Sequence, residues 1–177
     1  MLTREGTVLL VIDMQGNLYR AMNDKENLLE NSRKLIRGTV TLGIPVLLTE
    51  QIKIGPTIPE IRELAPHVQA IAKESFSCCG EGRFDEALLA VDPKRILVAG
   101  IEAHICVYQT VTDLRSRGFD VYLVADAISS RTAQNREIAI QRMTASGAVL
   151  TSTEMALFEL LQTAKDPKAR EIFGIVK

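Results

Sequence analysis

Short apolar runs alternate with segments of helical spacing about six times along this chain, and the alternation restricts the fold more than any other feature. Strands separated by helices predict a parallel sheet with helices on both faces, which is an α/β fold. No linker, repeat or low-complexity tract interrupts the pattern, so residues 1–177 are expected to form one domain. The apolar runs are Thr7–Ile12, Pro45–Thr49, Gln69–Ala72, Ile96–Ala99, Asp120–Ala125 and Ala148–Leu150.

Composition narrows the class of partner. The chain carries 21 Lys and Arg against 22 Asp and Glu, has 5% aromatic residues and lacks Trp. Because the chain lacks a basic surface and an aromatic stacking platform, neither nucleic acid nor an anionic membrane is an expected partner. The expected partner is a small-molecule substrate. The apolar run Val8–Ile12 is too short for a signal sequence or a membrane span, so we expect a cytoplasmic protein.

Cofactor and metal motifs are missing. No GxGxxG follows any predicted strand, and the chain has neither a Walker A motif nor a GxSxG elbow. The adjacent Cys78 and Cys79 lack the spacing of a zinc site, and only His67 and His104 are available to complete one. The sequence therefore predicts no cofactor and no metal.

Cys106 lies where a buried strand turns into a helix. Ile96–Ala99 forms the strand, Gly100 ends it, and helical spacing resumes at Ile105. At such a turn, unpaired backbone N–H groups and the helix dipole lower the pKa of a thiol and can hold an oxyanion. The turn predicts a nucleophilic cysteine; the alternative is a small buried residue on a helix.

Two other reactive side chains follow predicted strands. Asp13 comes directly after the first strand and Lys73 after the third. Because the carboxyl ends of parallel strands share one edge, both are expected to meet Cys106 there. A carboxylate can accept the thiol proton, and an ammonium stabilises the thiolate. His104 is two residues from Cys106 and would not face it on a helix, so it is a poorer base.

Four motifs, in this order and spacing, strongly resemble the isochorismatase-like cysteine hydrolases. They are VIDMQ at Val11–Gln15, TEQ at Thr49–Gln51, AKESFS at Ala72–Ser77 and GIEAHICV at Gly100–Val107. The resemblance spans nearly the whole chain and is closest to the small isochorismatase-domain-containing hydrolases. It implies a three-layer Rossmann-like fold with a six-stranded parallel sheet, commonly assembled into homo-oligomers.

The same resemblance implies an active site. Asp13, Lys73 and Cys106 would form a catalytic triad. A cis peptide bond between Ile101 and Glu102 would aim the amides of Glu102 and Cys106 at an oxyanion. Isochorismate hydrolases usually lack the cysteine, and nicotinamidases add a metal-binding Asp-x-His that this chain does not have. Of the activities that the resemblance implies, the one that remains is hydrolysis of a small amide-like C–N bond through a thioester intermediate.

Four further residues are candidates for substrate binding. Gln15 and Gln51 follow the first two strands and could hydrogen-bond a substrate amide, and His104 could line or cap the pocket. Phe76 could wall the pocket, or it could be a core residue.

Two other functions stay open on the sequence alone. The absence of a substrate-specifying motif, together with the long loop Ile52–Pro66, fits a binding or scaffolding protein, in which the loop is either a lid or an oligomer contact. Cys78 and Cys79 are either bystanders or a redox-sensing pair, and the latter would need a low pKa and exposure.

Overall fold

A six-stranded sheet forms the centre of the computed structural model, which describes residues 1–177. Its strand order is β3-β2-β1-β4-β5-β6, and every neighbouring pair is parallel. The predicted α/β class and six-stranded parallel sheet are confirmed. The strands are β1 (Thr7–Ile12), β2 (Val46–Gln51), β3 (Ile71–Lys73), β4 (Arg95–Ile101), β5 (Asp120–Ser129) and β6 (Val149–Thr151).

Eight α-helices cover both faces of the sheet. Alternate residues of β1 point to opposite faces, so Leu9 and Val11 join one hydrophobic core while Val8 and Leu10 join another. The first core includes α2, α7 and α8, and the second includes α4, α5 and α6. No helix is both long and apolar enough to cross a membrane. The helices are α1 (Gly16–Arg20), α2 (Lys25–Thr41), α3 (Pro59–Arg62), α4 (Gly82–Val91), α5 (Tyr108–Ser116), α6 (Ala133–Ala145), α7 (Thr153–Leu161) and α8 (Ala169–Val176).

Every strand except β1 differs from its predicted bounds, by one or two residues at each changed end except the end of β5. β4 continues through Gly100, which was predicted to end it. β3 begins and ends later than expected and includes Lys73, because this residue pairs with Gln51 at the end of β2. β5 continues to Ser129, well past the polar residues that suggested its end. Its register against β4 shifts between Val98 and Gly100, so the extra residues bulge and pairing then resumes.

The strand order predicts a ligand-binding crevice between β1 and β4. The chain adds β2 and β3 on one side of β1, and β4, β5 and β6 on the other. Connections therefore leave β1 and β4 in opposite directions, and ligands of such sheets bind outside the carboxyl ends of these central strands. Asp13 and Cys106, which follow β1 and β4, lie on the two sides of this crevice.

Gly100 allows β4 to approach β1 closely beside the crevice. Its φ is +120°, which L side chains rarely adopt. A Cβ at this position would lie 2.1 Å from the carbonyl oxygen of Ile12. Both the backbone conformation and the strand spacing therefore require glycine here.

Gly100→Ala should reduce the free energy of unfolding by more than about 4 kcal/mol, because the added methyl group would overlap the backbone of Ile12 in β1, which cannot move aside. Gly43→Ala is the matched control. Gly43 also has a positive φ, +74°, but a Cβ there would meet nothing within 4 Å. The control should lose only about 1–2 kcal/mol, the cost of left-handed backbone alone. Urea unfolding of both variants measures the difference, and equal losses would contradict the close-approach explanation.

Candidate active site

Asp13 is the first residue after β1, and its side chain is fully buried. Its φ of 52° lies in the left-handed region, which aspartate tolerates better than most residues. Its amide donates to the carbonyl oxygen of Thr49 (3.2 Å), so the turn remains attached to β2. This turn directs a charged carboxylate into the crevice instead of continuing the strand.

Lys73 forms a buried ion pair with Asp13. The Lys73 Nζ lies 2.8 Å from Asp13 Oδ2, and neither side chain is exposed. The ammonium directs aligned hydrogen bonds to Gln51 Oε1 (2.7 Å) and to the carbonyl oxygens of Ser75 (3.2 Å) and Phe76 (3.1 Å). These three acceptors match the three protons of an ammonium, and Asp13 Oδ2 receives no aligned hydrogen bond. The positive charge of Lys73 therefore acts on Oδ2, but Oδ2 can still accept a proton.

Cys106 completes the group that was predicted to converge. It lies in a π-helical turn, Ala103–Val107, that joins β4 to α5, and it is 5% exposed. The charges of Asp13 and Lys73 both act on its thiol, in opposite directions. π-helical turns are rare and are frequently found at functional sites.

The thiol of Cys106 is not activated in the way the sequence suggested. Burial, followed by the charge of Asp13, raises its pKa to about 12, and the opposing effect of Lys73 is smaller. Cys106 does lie in the first turn of a helical segment, as predicted, since the π-helical turn Ala103–Val107 continues directly into α5. Removal of the thiol from water nevertheless outweighs the favourable charge of this position. In the resting site the cysteine is therefore a neutral thiol beside a carboxylate.

The turn before Cys106 contains the cis peptide bond that the resemblance implied, between Ile101 and Glu102. The carbonyl oxygen of Glu102 accepts hydrogen bonds from the amides of Ile105 (3.1 Å) and Val107 (3.2 Å), which close the turn. The Glu102 amide itself donates no hydrogen bond to the chain. It is thus free to bind an oxygen beside Cys106, and the oxyanion role stays a prediction.

Gln15 and Gln51 do not have the free amides that were predicted to bind substrate. The Gln15 side chain donates to the carbonyl oxygen of Gln51 (2.9 Å) and accepts from its amide (2.9 Å). The Gln51 side-chain nitrogen donates to the carbonyl oxygens of Lys73 (3.2 Å) and Glu74 (2.8 Å). Neighbouring backbone therefore uses the polar groups of both residues. Their contacts indicate that they brace β2 and Lys73.

His104 and Phe76 have side chains that are partly open to solvent. His104 Nδ1 lies 2.9 Å from Ser130 Oγ and 3.7 Å from Glu102 Oε2. Glu102 also accepts a hydrogen bond from Nε of Arg131 (3.0 Å). Phe76 is 55% exposed, which removes the alternative that it is a core residue. Contact of either His104 or Phe76 with substrate stays a prediction.

The other two cysteines are poorly suited to redox sensing. Cys78 and Cys79 are free thiols, and both are buried. Burial raises the pKa of Cys78 to about 12 and that of Cys79 to about 11. Reactive thiols need the opposite combination, a low pKa and exposure to solvent. The burial and the raised pKa of Cys78 and Cys79 therefore favour the bystander role.

The loop Ile52–Pro66 is held against the sheet edge. The Ile58 amide donates to the carbonyl oxygen of Met14 (2.9 Å), and the amide and hydroxyl of Thr57 donate to Glu50 Oε1 (2.7 and 2.8 Å). Within the loop, α3 packs with Ile61 buried. The loop is therefore attached to the residues that follow β1 and to the end of β2.

Thr49 is the site residue that sequence reasoning missed. Its Oγ1 donates a 2.8 Å hydrogen bond to Asp13 Oδ1, and its side chain is buried. The TEQ motif includes Thr49, but only Gln51 was predicted to bind substrate, because its side chain carries an amide. The available signal was a hydroxyl at the end of the second predicted strand, since the carboxyl ends of the strands were expected to share one edge with Asp13.

Comparisons with known proteins identify the family of this chain. The sequence profile of the isochorismatase domain matches residues 7–155. The chain is 38% identical over 175 residues to isochorismatase domain-containing protein 2 of Danio rerio, covering 97% of this chain and 87% of the relative. The chain belongs to the isochorismatase domain family. Membership in this family indicates a hydrolase.

Solved structures share the fold closely. The MAR1 ribonuclease of Caenorhabditis elegans has a TM-score of 0.93 at 31% identity, covering 99% of this chain and 91% of that one. YcaC from Pseudomonas aeruginosa, solved with covalent acrylamide, has a TM-score of 0.93 at 26% identity, covering 98% and 90%. YcaC from Escherichia coli, described as an octameric hydrolase of unknown specificity, has a TM-score of 0.93 at 24% identity, covering 98% and 89%, and shows the shared fold alone.

Near neutral pH, iodoacetamide should alkylate Cys106 at least about tenfold more slowly than free cysteine, since a pKa of about 12 leaves less thiolate than the ~8.5 of a free thiol. Lys73→Met should slow the reaction further, because Lys73 is the charge that favours the thiolate. Peptide mapping by mass spectrometry follows Cys106, with buried Cys79 as an internal reference. Alkylation of Cys106 faster than free cysteine would show that the resting site already holds a thiolate.

Proposed function

We propose that this protein is a cysteine hydrolase that cleaves a small amide-like C–N bond through a thioester intermediate. The observation that carries the proposal is the state of the Asp13 carboxylate. Its Oδ2 is buried, lies 2.8 Å from the Lys73 ammonium and accepts no aligned hydrogen bond, and the Asp13 carboxylate lies close enough to the Cys106 thiol to raise its pKa. A neutral thiol beside a carboxylate with a free lone pair is the arrangement that general-base activation requires.

In the first half of the reaction, Cys106 Sγ forms a bond to the substrate carbonyl carbon as the thiol proton passes to Asp13 Oδ2. Negative charge develops on the carbonyl oxygen, where the amides of Glu102 and Cys106 would donate hydrogen bonds. Lys73 keeps the site electrically balanced, since its positive charge stays in place while the proton moves. The C–N bond then breaks, and the proton on Asp13 passes to the departing nitrogen, which leaves as ammonia or an amine.

In the second half, water adds to the thioester carbonyl carbon and gives a proton to Asp13. The C–S bond breaks, the proton returns to Cys106 Sγ, and a carboxylic acid leaves. Asp13 thus acts first as a base, then as an acid, and then in both roles again. The resting thiol and carboxylate are restored.

The comparison with Pseudomonas aeruginosa YcaC adds chemical support. That protein holds acrylamide covalently, and acrylamide attaches to nucleophilic side chains through its vinyl carbon, so the support is for a nucleophile and not for the C–N bond as its target. Assembly of this chain into homo-oligomers stays a prediction of the family resemblance. A cytoplasmic location and the absence of nucleic-acid partners stay predictions. The ribonuclease neighbour makes RNA the control substrate of choice.

A panel of small amides, assayed for ammonia release, tests the proposal. Cys106→Ala should abolish turnover by at least about a thousandfold, because the covalent intermediate cannot form. Asp13→Asn should lose about 10²–10⁴-fold, the usual contribution of a general base. Intact-protein mass spectrometry during turnover should show an acyl adduct on Cys106.

Cys79→Ala is the matched control, because it also removes a buried thiol but lies outside the catalytic group. It should retain activity within about twofold. Ammonia release that survives Cys106→Ala would overturn the cysteine mechanism. If no amide is cleaved while RNA is, the substrate class is wrong. No turnover of either would favour the scaffolding alternative.

A further inference from the structure

Thr49 contacts Asp13 through both its backbone and its side chain. In the β1–β2 register Thr49 pairs with Ile12, so its side chain is level with the turn that starts at Asp13. The Asp13 amide donates to the Thr49 carbonyl oxygen (3.2 Å), and Thr49 Oγ1 donates to Asp13 Oδ1 (2.8 Å). The Thr49 side chain is buried, so water does not compete for this hydroxyl.

The direction of the hydroxyl hydrogen bond is determined by its surroundings. Threonine has one hydroxyl proton, and an ionised carboxylate can only accept. The Cys78 thiol donates to Thr49 Oγ1 from 4.0 Å, which supplies the hydroxyl oxygen with a donor of its own. The single proton of Thr49 is therefore available for Asp13, and it occupies Oδ1.

The two oxygens of the Asp13 carboxylate thus have different environments. Oδ1 is fixed by Thr49, whereas Oδ2 is 2.8 Å from the Lys73 ammonium without an aligned hydrogen bond. A carboxylate can rotate about its terminal bond with little preference. Without the Thr49 hydroxyl, nothing in the contacts of Oδ1 would stop Asp13 from turning to a better aligned bond with Lys73.

We propose that Thr49 is a positioning residue for the reaction, and that its hydroxyl holds the Asp13 carboxylate so that Oδ2 stays without an aligned hydrogen bond and can accept the proton of Cys106. The proton-transfer part of this inference rests on the proposed function, whereas the orientation of the carboxylate does not. Lys73, Cys78 and Cys106 are the other charged or titratable groups around Asp13, and all three are unchanged in the variants below.

Thr49→Val and Thr49→Ser form the test pair, because valine keeps the shape and serine keeps the hydroxyl. In a crystal structure of Thr49→Val the Asp13 carboxylate should rotate toward Lys73, and in Thr49→Ser it should superpose on the native one. Unchanged orientation in Thr49→Val would overturn the inference. This readout needs no substrate, so it separates failure of the inference from failure of the proposed function.

With an amide substrate, Thr49→Val should lower kcat by about 10- to 100-fold, the usual effect of losing one hydrogen bond to a charged group. KM should change by less than about threefold, because Thr49 contacts the base and not the substrate. Thr49→Ser should restore kcat to within about threefold of the native enzyme.

A purely structural role predicts a different result, in which serine and valine lose kcat in proportion to their loss in Tm. That result would overturn the inference. If Thr49→Val does not fold, Thr49→Ala provides the same comparison with less crowding, and equal kcat in the alanine and serine variants would also overturn it.

Discussion

The buried ion pair between Asp13 and Lys73 is the interaction on which the site depends. Removing two full charges from water costs more than their attraction returns unless further hydrogen bonds satisfy both groups. The strand order provides these partners, because β2 lies between β1 and β3. From β2, Thr49 donates to Asp13 and Gln51 accepts from Lys73. The middle strand therefore supports a pair whose members come from the two strands beside it.

Under the proposed function, this arrangement would allow a thiol with a high pKa to act as a nucleophile. Burial and the charge of Asp13 disfavour the thiolate of Cys106 in the resting site. The same burial keeps Asp13 away from water and leaves its Oδ2 available for a proton. In the proposed mechanism the thiolate forms only as the proton transfers, so a reactive anion need not accumulate between turnovers.

The opposite wall of the crevice depends on close packing of backbone. Gly100 allows β4 to lie against Ile12 of β1, and the cis bond at Ile101 and Glu102 follows immediately. The π-helical turn then presents Cys106 toward the end of β1. Charge and hydrogen bonding therefore position Asp13 and Lys73 on one side of the site. Backbone geometry positions Cys106 on the other side, and the two sides meet at β1 and β4.

Sequence alone determined the layered fold and the three reactive groups. Apolar alternation encodes strands and helices locally, and parallel strands bring their carboxyl ends to one edge, so Asp13, Lys73 and Cys106 could be expected together. Tertiary structure decided the thiol's pKa and the roles of Thr49 and Gln51. Those properties depend on burial and on atoms that face each other across neighbouring strands. Strand register sets these contacts, and no local pattern in the chain records it.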